Sequence, residues 1–481
     1  MRRALLLLSV FGLAGAALAA DFGFLRPLRV FRVTSKDPEQ VLHVQEAVRV
    51  RDRYLAVVLT TSRTREGRER LKELYGVAYF LAPAWFSDRW ELLRLGDGLF
   101  AGLREVTPTP LQSWQPSLLD PLGFPRYPVH RFPQVLVREA GASWCPYLIV
   151  TTTQVACLDE SLRLGSRWET PVQVMDYFLW QGRLWMAGYH EGHLLHQVDL
   201  VDEGTGPYDI RPVRIARSVL TLGTLRDFLS RRGYTLADLR DLETTPWETG
   251  LFAEALKKRR QEMAEHPEKF TVKDREGRRY VPLGMHRALR PFHFPMAATA
   301  QGERAYIVLH RPFGVVVVQL PEGQVLDFWP IRREELPPSM RDYTRPAVWS
   351  VVPVRNQRLF INLALERDIS YREFQATHPT EAAELARNWT RMRQRNCSDI
   401  IPCDEPLTPE TVVGAESASY GLEVTGEGRL YRVYSLEWSD GHWSRSVLAL
   451  AFFPGPEEMW LSIRADDPAG GVLYGVARFD W

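Results

Sequence analysis

Three imidazoles fall within one short run, His190-Glu191-Gly192-His193-Leu194-Leu195-His196. This is not the H-E-x-x-H spacing, in which two histidines four apart share one helical face. The flanking residues read as strands instead. With Glu191-Gly192 as a two-residue hairpin turn, His190 and His193 oppose each other, while His196 points to the other face. Three ligands then do not converge from this segment, and no metal is expected: a two-histidine site would need a further ligand from elsewhere.

A second constellation is basic and aromatic. Arg126-Tyr127-Pro128-Val129-His130-Arg131-Phe132-Pro133 precedes one group of strand-like runs, Arg290-Pro291-Phe292-His293-Phe294-Pro295 another, and Arg341-Asp342-Tyr343-Thr344-Arg345-Pro346 a third. Forked guanidinium groups bind carboxylates, phosphates and sulfated sugars in a planar, two-pronged way. If the three segments face a common space, Arg126, His130, Arg131, Arg290, His293, Arg341 and Arg345 form one anion-binding pocket. The plainer alternative is that the prolines and aromatics only build crossings between sheets, with the arginines exposed or paired.

Other templates are missing. The chain has no G-x-S-x-G nucleophile elbow, no G-x-x-x-x-G-K-[ST] phosphate loop and no D-x-[DN]-x-[DN]-G calcium loop. No cofactor is implied. A glycosidase carboxylate pair is defined by distance in space, which spacing along the chain does not supply. Trp438-Ser439-Asp440-Gly441-His442-Trp443 reads as an Asp-Gly hairpin with aromatic flanks.

The elements that must position these residues are strands. From about Val41 onwards, apolar runs rich in Val, Ile, Leu, Tyr and Trp alternate with Gly, Asp and Pro turn signals. Three groups of four are clear. They run Val44 to Val50, Tyr54 to Thr61, Gly76 to Ala82 and Trp90 to Leu95; then Val172 to Trp180, Leu184 to Tyr189, His193 to Val201 and Ile210 to Ile215; then Met296 to Ala300, Ala305 to His310, Gly314 to Leu320 and Val325 to Ile331. Four sequential antiparallel strands in about 40 to 45 residues is the period of a propeller blade. The pattern resembles β-propeller repeat proteins as an architecture, without the motifs of any one family. The expectation is an all-β propeller of about seven four-stranded blades, with an early strand, Leu28 to Val33, closing the ring against the last blade. Tandem β-sandwiches are the alternative. In a propeller the segments before the innermost strands lie at the mouth of the central channel, which would bring the three basic segments together.

Helices interrupt this pattern. Thr224-x-x-Asp227, Thr235-x-x-Asp238 and Thr245-Pro246-Trp247-Glu248 are capping-box sequences, predicting helices over about 224 to 232, 235 to 242 and 246 to 265, with Gly233 as a stop. Another is expected over about 380 to 395. The implied organisation is a signal peptide over 1–19 and one propeller domain over 20–481, with helical insertions at about 222–270 and 370–410.

The address rests on Met1-Arg2-Arg3, the apolar stretch Ala4 to Leu18 and the A-x-A pattern Ala17-Leu18-Ala19, which read as a secretory signal. No later run is long and apolar enough for a span. The four cysteines fall as local couples, Cys145 with Cys157 and Cys397 with Cys403, as disulfides of an oxidising compartment would. A formal charge of +1 excludes a general nucleic-acid binder. Two functions are compatible with these features. One is a secreted or periplasmic binding module for a protein, glycan or envelope partner; the other is a propeller hydrolase or lyase acting on an anionic or carbohydrate substrate at the channel mouth.

Overall fold

The structure is a computed structural model that describes residues 21–24, 29–33, 40–50, 53–62, 89–95, 105–106, 109–114, 134–138, 145–150, 154–160, 164–170, 174–201, 210–235, 265–266, 272–273, 279–280, 297–309, 312–340, 345–396, 406–436, 446–455, 458–466 and 472–480. Among the described residues six sheets have four or five strands, each numbered here by its place along the chain. The first sheet is Gln40–Val50, Arg53–Ser62, Arg89–Leu95 and Thr109–Trp114. The second is Gln134–Val137, Tyr147–Val150, Gln154–Leu158 and Leu164–Glu169, with Ile210–Pro212 added in parallel. The third is Asp176–Trp180, Arg183–His190, His193–Asp199 and Arg214–Thr221. The fourth is Ala297–Gln301, Arg304–Leu309, Gly314–Gln319 and Gln324–Pro330.

The fifth sheet holds Arg345–Val354, Arg358–Ser370, Val412–Val424 and Leu430–Ser435, with Asp21–Phe24 parallel at its edge. The sixth holds Ser446–Gly455, Glu458–Asp466 and Val472–Asp480, and Arg29–Val33 pairs antiparallel with its last strand. An amino-terminal strand therefore completes a carboxyl-terminal sheet, which leaves fewer unpaired edges. The run Ile210 to Ile215, read as one strand, is divided: Ile210–Pro212 joins the second sheet and Arg214–Thr221 the third.

Burial explains why the sheets are ringed. Gly314–Gln319 reads Gly-Val-Val-Val-Val-Gln, a continuous apolar run where a sheet with one wet face would alternate. Val316 and Val318 pack with Trp185, Leu195 and Val219 of the third sheet. Val315 and Val317 pack with Ile361, Leu363 and Leu422 of the fifth. The fourth sheet is thus covered on both faces, each buried Val contributing about 2 kcal/mol. A sandwich strand has only one inner face, so the tandem-sandwich alternative fails here. Among the described residues four sheets ringed round an axis carry the propeller arrangement, against an expected seven blades. First strands lie against one another across the seams: that of the third sheet on that of the fourth, and that of the fourth on that of the fifth.

Turns lock neighbouring sheets. Gly323 and Gly428, at φ +80° and +82°, each sit in the turn between third and fourth strands. A Cβ at Gly323 would meet Val219 and the backbone of Leu220, and one at Gly428 would meet the Trp329 ring. Each turn tucks onto the outer strand of the preceding sheet, and only glycine allows both the backbone angle and the approach.

Helix α1, Leu222–Arg231, follows the third sheet. It begins before the expected Thr224 because Thr221 is the cap, its hydroxyl accepting from Thr224 N at 3.0 Å. Gly233 (φ +90°) ends it, with Gly233 N bonded to Ser230 O and Tyr234 N to Leu229 O. Leu222, Leu225 and Leu229 are its buried face. Beyond its end, Arg232 pairs with Asp327 of the fourth sheet at 2.6 Å, and Tyr234 meets the Phe328 ring edge-on. Helices α2 (Tyr371–Thr377) and α3 (Pro379–Asn396) join the second and third strands of the fifth sheet and bury Phe374, Ala382 and Leu385. Residues 236–264, where two further helices are expected, lie outside the described residues, as does the hairpin at 438–443.

Candidate functional site

The lead-in segments expected to meet at the mouth run directly into first strands: 126–133 into Gln134–Val137, 290–295 towards Ala297–Gln301, and 341–344 into Arg345–Val354. Arg126, His130, Arg131, Arg290, His293 and Arg341 themselves lie outside the described residues. Arg345 opens the first strand of the fifth sheet, opposite Glu366 in register.

At the same end, the third and fourth sheets are joined by a carboxylate. Asp176 is 4% exposed; one oxygen accepts from Tyr177 N at 2.9 Å and the other from Ala298 N at 2.6 Å. Its partners are backbone amides at the start of two first strands, so the carboxylate fixes the spacing of those strands at that end. Tyr177 is buried beside it, and burial drives the phenol well above its ordinary range. Farther along the same seam, Trp180 Nε1 donates to Gly302 O at 2.7 Å. Asp176 was not singled out from the sequence. The available signal was one carboxylate inside the apolar run Val174 to Trp180, which demands a partner once the run is buried.

The histidine run forms the expected hairpin. Glu191 (φ +47°) and Gly192 (φ +80°) make the turn, and His190 pairs with His193. His196 does not point away from its neighbours: a register shift between Ala187 and His190 brings the His190 ring within 5.8 Å of it. His196 is fully buried. Its Nε2 lies 3.0 Å from Gly188 O and its Nδ1 2.9 Å from Ser218 Oγ. The carbonyl only accepts, so Nε2 carries the hydrogen and Nδ1 accepts from the Ser218 hydroxyl. Burial lowers its pKa to about 4, with the neighbouring His190 and His193 adding to the shift. A base that weak, oriented by a carbonyl instead of a carboxylate, is poorly suited to activating Ser218 as a nucleophile. Both ring nitrogens are engaged, and among the described residues no group of three or more His, Cys, Asp and Glu is placed to hold a metal.

A charged network occupies the fifth sheet. Glu423, 4% exposed, accepts from Arg358 Nη1 at 2.7 Å and from the Tyr434 hydroxyl at 3.1 Å. Arg432 Nη1 donates to the Tyr434 oxygen at 3.4 Å. The hydrogen bond to Glu423 raises the proton affinity of Arg358, and burial pushes the Tyr434 phenol up to about 12. Sequence reading passed over Glu423 as well, although it too is a lone carboxylate in an apolar strand.

Cys145 and Cys157 are disulfide-bonded with Cα atoms 5.4 Å apart, within the core shared by the second and third sheets. Cys397 and Cys403 lie outside the described residues, as does the signal sequence over 1–19. No helix among the described residues is long and apolar enough to cross a membrane.

No family model and no curated protein matches the chain. Solved structures are similar at low identity. A protein of unknown function from Dyadobacter fermentans aligns at 7% identity over 95% of this chain and 98% of its own, with a TM-score of 0.35. The β-propeller domain of Cps50 (Swd1) from Myceliophteria thermophila aligns at 9% identity over 91% and 99%, with a TM-score of 0.29. Hydrazine synthase from Kuenenia stuttgartiensis aligns at 8% identity over 69% of this chain, with a TM-score of 0.29, and the chain spans 59% of its length. The propeller assignment rests on the strand order and shared cores described above.

Proposed function

We propose that the protein is a secreted or periplasmic β-propeller binding module that takes an anionic group of a protein, glycan or envelope partner at the axial mouth. Arg126, His130, Arg131, Arg290, His293, Arg341 and Arg345 supply the charge. The observation that carries this reading is topological: all three basic segments immediately precede first strands of sheets, and the first strands of the fourth and fifth lie side by side. The buried Asp176 clamp supports it, because a ligand gains most from groups held in place before it arrives. The Cys145–Cys157 disulfide and the amino-terminal pattern support an oxidising destination.

The test uses the mature chain, with inorganic phosphate, sulfate and a uronic acid as probes in thermal unfolding. Binding to the folded state alone raises Tm with ligand concentration. The wild type is expected to respond to at least one probe, and the Arg290→Ala/Arg345→Ala double variant to lose that response while keeping its unliganded Tm. An unchanged response in the double variant removes the pocket.

A further inference from the structure

We propose a second ligand site, remote from the mouth, on the fifth sheet around Tyr431, and that it takes an anionic oligosaccharide. Tyr431 is 40% exposed although it sits beside the buried residues Val433 and Tyr434. The Arg358 guanidinium lies 3.7 Å over its ring centroid and that of Arg432 5.5 Å away. Neither cation is loosely placed: Arg358 is anchored on the buried Glu423, and Arg432 reaches the Tyr434 hydroxyl that bonds the same carboxylate. Guanidinium stacking on an aromatic ring and bonding to a buried acid fix its plane before any ligand arrives.

Two turns extend this platform. Residues 355–357 follow the first strand, and Thr425 to Arg429 form the turn before the fourth, closed by Gly428 N to Thr425 O at 2.9 Å and Arg429 N to Thr425 Oγ1 at 3.1 Å. They adjoin, since a Cβ on Gly426 would press on Gln357 O. Arg355 and Arg429 are exposed there. Over these turns, their flanks and the paired edge strand, four arginines (355, 358, 429, 432) stand against Glu423, Glu427 and Asp21, which lies opposite Arg432 in register, a local excess of one positive charge. The first strand spans ten residues from Arg345 to Val354, so these turns lie about 30 Å from the mouth.

The chemistry selects the ligand. A half-exposed phenol beside fixed guanidinium groups offers the exposed part of its ring and forked hydrogen bonds in one small footprint. A sugar ring bearing carboxylate or sulfate meets both. A phosphate polymer needs a far broader basic stripe than this small excess, and the whole chain carries only +1.

The experiment is calorimetric titration of the mature chain with a heparin-derived hexasaccharide, its desulfated counterpart and inorganic sulfate. The wild type is expected to bind the charged hexasaccharide and to favour it over sulfate alone. Tyr431→Ala and Arg432→Gln should each weaken it about tenfold, with Tm held near wild type because both side chains reach solvent. The Arg290→Ala/Arg345→Ala variant should bind it normally, which separates this site from the mouth. Wild-type affinity in Tyr431→Ala and Arg432→Gln, equal binding of sulfate and hexasaccharide, or loss only in the mouth variant would each overturn the proposal.

Discussion

The third and fifth sheets both bury a polar side chain among apolar strands, and they satisfy it in opposite ways. His196 is kept neutral: one nitrogen donates to a carbonyl, the other accepts from a hydroxyl, and no acid offsets a proton. Glu423 is given a cation, with Arg358 donating to one oxygen and Tyr434 to the other. The neutral solution tolerates no added charge. The charged one needs its cation, and because that cation reaches the surface it leaves a fixed guanidinium beside solvent. The difference separates a packing device from a surface that a ligand can read.

The largest expected effect is acid sensitivity from the third sheet. The folded-state pKa of His196 is lowered to about 4 from the ordinary 6.5, so the unfolded chain binds the extra proton first. Stability is therefore lost as pH falls from 6.5 towards 4 and loses no more from this group below that, about 3 kcal/mol in all. Urea unfolding across that window should show the fall, and His196→Gln should flatten it. A His196→Gln curve as steep as wild type would mean that other groups carry the acid response. The fifth sheet is tested by substitution: Glu423→Gln takes the charge from the partner of Arg358 and is expected to cost about 2 kcal/mol. A change within the ordinary surface range of about 0.5 kcal/mol would erase the contrast.

How much of this was legible in the sequence depends on range. Gly314 to Leu320 and Val325 to Ile331 announced strands because β-branched runs bounded by turn residues have few other solutions. The Glu191-Gly192 hairpin was equally local. The start of α1 was misread because Thr221 and Thr224 are both good caps; the structure decides for Thr221, whose hydroxyl accepts from Thr224 N while Leu222 N donates to Gly192 O of the hairpin. His196 was misplaced because a bulge after Ala187 changes which face follows, and no residue type marks that bulge. Among the described residues the blade number is lower than expected; that expectation came from dividing residues by a period, which does not foresee strands joining other sheets, as Ile210–Pro212 joins the second and Asp21–Phe24 the fifth. Asp176 and Glu423 needed partners 122 and 65 residues away, which spacing along the chain does not reveal.

The smallest expected effect sharpens the comparison most, because its sign follows from the tautomer. If Nε2 holds the hydrogen against Gly188 O, the Ser218 hydroxyl donates to Nδ1 and favours the neutral ring. Ser218→Ala removes that donor. Ser218 is only half-buried, so water replaces part of the bond and the loss at neutral pH should be about 0.5 to 1 kcal/mol. The folded-state pKa of His196 should then rise slightly, so the acid-induced loss of stability is smaller and ends at slightly higher pH, since the neutral imidazole has lost a bond that the protonated one could not accept. A transition displaced to lower pH would mean that Ser218 had been accepting from Nδ1, and that the cluster in the third sheet is part-way to the charged solution used in the fifth.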